Sequence, residues 1–131
     1  MTVAAVVYHA RTPWPAATAL SGLYLGPAAL VDTMGPHLPR FAFTLDDLAA
    51  TSDDALRARP MAALPILVLW TLKHTRHEPD IIAALRGVVD LVCAAMRDRH
   101  GAEVMAAVFN YIREVGSALD LPRFGGHDGR D

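Results

Sequence analysis

Apolar and polar positions change their rhythm once along this chain, near residue 60. Before that point the pattern is short and broken. Residues 3–9 carry Val3, Val6, Val7 and Tyr8 with almost no charge, a β-branched and aromatic run that predicts a strand buried on both faces. Residues 12–39 are rich in proline and glycine, which predicts a loop wrapped around one short helix at about residues 28–34. Residues 41–45 alternate Phe41, Phe43 and Leu45 and predict a second short strand. Asp46, Asp47, Ser52, Asp53 and Asp54 follow, residue types that cap short helices and suit their first turns.

Beyond Pro60 the period becomes helical. Residues 61–77 predict a first helix, with Pro65 near its start, an apolar middle, and Lys73, His74 and Arg76 at the end, where cations suit the helix dipole. A second helix starts at Pro79 and repeats apolar residues at Ile81, Leu85, Val88, Val92 and Met96 until Gly101 ends it. A third, residues 102–119, sets Val104, Val108, Ile112 and Val115 on one side, with Phe109 and Tyr111 flanking. Short connections make the three antiparallel neighbours. The fold class expected is therefore α+β and mostly α, one or two short strands followed by a three-helix array. Such a strand pair cannot make a stable sheet alone. The missing strands are expected to be absent from the chain or supplied by a second copy. Residues 1–120 read as one domain, and residues 121–131, with three glycines and mixed charge, as a disordered tail.

Composition narrows the class. Hydrophobic residues make up 53% of 131 positions and the formal net charge is −2, so no overall basic surface draws the chain to nucleic acid phosphates. A self-contained helical DNA-binding protein is disfavoured on that ground. The longest apolar run, residues 61–72, includes Pro65 and is too short to span a bilayer. Neither a membrane segment nor a signal peptide is expected, and the single cysteine, Cys93, sits among Leu91, Val92, Ala94 and Ala95, which suggests a small buried apolar residue in a cytoplasmic protein.

Four segments in order, VVYHARTPW (residues 6–14), FTLDDLAATSDDAL (residues 43–56), RPMAALPILVLWTLKHTR (residues 59–76) and AAVFNYIREVG (residues 106–116), resemble the recombination-promoting nuclease and YhgA-like transposase family. The resemblance extends over residues 3–116. Ala10 stands where the family usually has glycine, and Thr75 where it often has isoleucine. The family is similar to restriction-endonuclease-like nucleases of the PD-(D/E)XK type, so a partial fold of that kind is implied. It also implies Mg²⁺-dependent DNA cleavage in complete members, by acidic residues and a lysine or glutamine on strands preceding the segments seen here. The chain accordingly reads as the C-terminal part of such a protein, truncated ahead of its catalytic motif.

The inventory of residues agrees with that reading. A metal-dependent nuclease needs carboxylates to hold the cation and a cationic or polar group to orient water. Lys73 is the only lysine, glutamine is absent, and Glu78, Glu103 and Glu114 are followed two places on by Asp80, Met105 and Gly116. No catalytic or metal-binding residue is assigned and no cofactor is expected in this chain. His74, His77 and Glu78 cluster in sequence without a third ligand at fixed spacing. Lys73, His74 and Arg76 match the family's Lys-His-x-Arg segment, and His9 and Arg11 follow the first strand; these five are the candidate contacts to DNA or to a protein partner. Trp14 and Trp70 read as packing residues. The partners implied are a second copy of the chain or a full-length family nuclease, with DNA reached only through a complete relative. An inactive family remnant and a regulatory binding module are the two functions that remain.

Overall fold

The computed structural model describes residues 3–116, which divide between two compact units, Met1–Ser52 and Asp53–Asp131. The fold is α+β and mostly α. The tail at residues 121–131 lies outside the described residues.

In the first unit β1 (Ala5–Tyr8) pairs in parallel with β2 (Thr44–Asp47), Ala5 opposite Thr44 and Tyr8 opposite Asp47. The second strand lies later than residues 41–45, because Ala42 instead forms an isolated antiparallel bridge with Ala19. Leu20 and Phe43 donate backbone N–H groups to Phe41 and Thr18 across that bridge. β1 is not buried on both faces as its composition suggests. Val6 and Val7 are 38% and 45% exposed, since a two-stranded sheet has too few neighbours to cover them. Between the strands, a 3-10 turn (Leu20–Leu23), α1 (Ala28–Met34) and a second 3-10 turn (Gly35–His37) bury no residue.

The second unit holds α2 (Asp53–Arg57), α3 (Ala63–His74), α4 (Ile81–Arg86), α5 (Val89–Met96) and α6 (Gly101–Val115). α3 is the centre and packs against α2, α5 and α6, with α5 also against α6. Its buried residues are Ile66, Leu67, Trp70 and Thr71. Pro65 sits in its first turn, where the missing N–H has no helical partner to lose. The end comes at His74 rather than residue 77, because Glu78 precedes Pro79 and is held out of helical geometry. His77 and Glu78 both donate backbone N–H groups to the His74 carbonyl, closing the chain into a turn.

The single second helix expected from the apolar repeat is two helices. Gly87, the weakest helix former in the run, caps α4, and Val88 donates to Leu85 in a tighter turn before α5 begins. Asp80, not Pro79, marks the start of α4, its carboxylate accepting from the Ala83 N–H at 2.9 Å. Gly101 opens α6 instead of ending the helix before it. A Cβ at this position would run into the Ala95 carbonyl oxygen and the backbone of Met96, so only glycine lets α6 start so close to the end of α5. The buried stripe of α6 is Gly101, Met105, Val108 and Ile112, sharing Val108 and Ile112 with the expected one.

Candidate functional site

Two of the five candidate residues converge on one carboxylate. Lys73 and His74 occupy the last turn of α3, and Asp53 the first turn of α2. Lys73 Nζ lies 2.8 Å from Asp53 Oδ1, and His74 Nε2 lies 2.9 Å from Oδ1 and 3.0 Å from Oδ2. An ionised carboxylate only accepts, so Nε2 carries the proton. The His74 ring rests on Trp70, centroids 4.7 Å apart, and Trp70 is itself buried. Partial burial alone raises the Asp53 pKa, but hydrogen bonds and positive charge from Lys73 and His74 outweigh it, and the carboxyl sits below its ordinary value.

The chemistry open to this arrangement is electrostatic. Both Asp53 oxygens face donors, and the only lysine is engaged as a cation, so the cluster ties α2 to the end of α3. A second tie is bidentate, Arg57 to Asp90, with its shortest contact 2.9 Å. Among the described residues no three His, Cys, Asp or Glu side chains gather where they could hold a metal ion.

The other candidates stand apart from the cluster. Arg76 is exposed in the turn after α3, while His9 is half-buried and Arg11 exposed after β1 in the first unit. Asp46 and Asp47, expected as helix caps, belong to β2. Asp47 nonetheless caps a turn: Oδ1 accepts from the Ala49 and Ala50 N–H groups, and Oδ2 from the Trp14 N–H at 2.7 Å. Trp14 meets Tyr8 and Phe43 edge to face, at 5.1 and 5.8 Å between centroids, and Trp70 is in the core, so both tryptophans pack as expected. Cys93 is exposed rather than buried, because the inward side of α5 is set by Ala95.

Sequence reasoning missed Asp53 as the partner of Lys73 and His74. It placed the residue in a helix first turn, correctly, but the pairing spans 20 and 21 positions and no local pattern signals it. No described helix is long and apolar enough to cross a membrane.

No curated protein and no solved structure matches the chain. A family profile described as "Putative transposase, YhgA-like" matches residues 1–103. That span contains both strands, the Trp14 cluster, the Asp53, Lys73 and His74 cluster and the start of α6, leaving only the fourth resembling segment, residues 106–116, beyond it. The chain therefore belongs to the YhgA-like transposase family.

Proposed function

We propose that this chain is a family member that does not cleave DNA by itself. The observation that carries the reading is the state of Lys73, the only lysine in the sequence, which forms an ion pair with Asp53, while among the described residues no three metal-ligating side chains gather. No Glu-x-Lys or Glu-x-Gln element occurs among the 131 residues, and a divalent cation needs preassembled carboxylates to hold it against a phosphate, a grouping not found among the described residues. Plasmid DNA incubated with the full chain and Mg²⁺ or Mn²⁺ should remain supercoiled. Nicking that disappears on Asp53→Asn or Lys73→Met would overturn the reading.

A second reading, a regulatory module that pairs with itself or with a full-length family nuclease, is favoured by β1. Among the described residues the strand has one neighbour, β2, and it exposes Val6 and Val7, with Val3 exposed just before it. A strand so placed can accept another through main-chain hydrogen bonds. Val7→Pro removes a backbone donor there and should weaken such pairing, measured by light scattering of the chain alone and with a full-length relative. Association that ignores this substitution would exclude the strand as the route.

A further inference from the structure

The pairing of β1 with β2 decides which main-chain groups of β1 are left over. Thr44 donates its N–H to the Ala4 carbonyl and Leu48 donates to the Tyr8 carbonyl, both at 2.9 Å, on either side of the pair Val6 opposite Leu45. Main-chain groups of successive residues in a strand point to opposite sides, so Ala4, Val6 and Tyr8 bond towards β2 while Ala5 and Val7 face away. Among the described residues no strand lies on that side. The outer side of β2 is occupied at both ends. Phe41 and Phe43, leading into it, bond to Leu20 and Thr18, and at its close the Asp47 carbonyl accepts from the Thr51 hydroxyl at 2.9 Å. β1 is thus the open edge of the sheet. Such edges are ordinarily guarded by charge or proline, and residues 3–8 contain neither.

We propose that two copies of the chain join here, β1 antiparallel to β1 about a two-fold axis at Val6, giving one four-stranded sheet. Only a strand satisfies main-chain groups along an edge, and the open strand that a second copy offers is its own β1. A two-fold axis sets the two antiparallel, since the parallel arrangement would bring N–H groups level with N–H groups. The outward groups of Ala5 and Val7 then fix the register. With Val6 opposite Val6 of the other copy, Ala5 of each meets Val7 of its mate and the two exchange both main-chain bonds. A slip by one residue would set outward groups against inward ones. The same register lays Val6 on Val6 on one face and Val7 on Ala5 on the other, covering the valines that β2 alone leaves exposed. The inference rests on the self-pairing reading above and gives it a partner, a direction and a register.

Single cysteines read the register directly, in a Cys93→Ser background because Cys93 is itself exposed. Directly opposite, non-bonded residues of antiparallel strands have Cα atoms about 4.5 Å apart, within reach of a disulfide. Val6→Cys should therefore link two full-length chains on mild oxidation. Ala5→Cys and Val7→Cys should stay unlinked separately, each lying beyond about 7 Å from its own copy, and should link when the two variants are mixed. Without oxidant, sedimentation velocity of the parent across micromolar concentrations should show a monomer–dimer equilibrium. Val7→Pro should weaken it about tenfold or more, one donor being lost from each copy, while the bonds of Val6 and Tyr8 to β2 remain; circular dichroism of each variant should match the parent. Equal linking at all three positions, or a dimer in which Val6→Cys stays unlinked, overturns the proposal. A chain that is monomeric alone but pairs with a full-length family nuclease refutes the two-copy contact and spares the broader regulatory reading.

Discussion

Asp53 shows how much one residue's meaning depends on what folds onto it. Its lowered pKa has a definite consequence for stability. The carboxyl of an unfolded chain takes up its proton near pH 3.9, whereas in the folded protein it holds out to lower pH. The stabilisation it brings is therefore complete above that unfolded value and lost as pH falls through the folded one. Asp53 is 45% exposed in its side chain, so solvent screens the pair and the contribution at neutral pH is about 0.5 to 1 kcal/mol. Asp53→Asn should lower the urea midpoint at pH 7 by a corresponding amount, and the gap from the parent should narrow at pH 3. An equal gap at both values would show that the charge is not what matters. Thr75 is a second case. It is fully buried. Its hydroxyl donates to the Thr71 carbonyl at 2.7 Å, so a branched polar side chain fills a site suited to a branched apolar one without leaving its proton unpaired.

Elements were legible in the sequence where local pattern decides them, and obscured where a neighbour does. α1 lies at the residues its flanking prolines and glycines predict, and α3 is one helix with Pro65 in its first turn and basic residues in its last. The break between α4 and α5 was hidden because the apolar repeat runs straight through Gly87, and periodicity records faces, not interruptions. Gly101 was misread for a related reason. Glycine commonly terminates a helix, but here it is the point at which α6 approaches the end of α5, a contact that only the folded chain creates. Gly101→Ala should therefore behave unlike an ordinary glycine-to-alanine change in a helix, which stabilises by up to about 1 kcal/mol. The added methyl meets backbone, which cannot turn aside as a flexible side chain can, and the cost should be about 1 to 3 kcal/mol. A thermal or urea unfolding curve decides the sign: stabilisation would mean that the α5–α6 approach is looser than described. The Asp53 cluster followed the same rule: the segment singled out Lys73 and His74 as candidate DNA or partner contacts, but their pairing with Asp53 is visible only in the tertiary structure.

At the scale of the molecule, buried apolar side chains are distributed very unevenly. Apart from Leu48, every buried hydrophobic residue described lies in the second unit, most of them on α3 and α6. The first unit has a two-stranded sheet and a helix that buries nothing, so its backbone hydrogen bonds are protected by little packing. Local opening free energy follows such differences, being near the global value where elements are buried and small where they are not. Amide exchange of the isolated chain should accordingly be slowest in the middle of α3 and α6, between Leu67 and Thr71 and between Met105 and Ile112. It should be faster by orders of magnitude in β1 and α1. Uniform exchange in both units would mean that the two are equally stable, and that the exposed residues of the first unit cost it nothing.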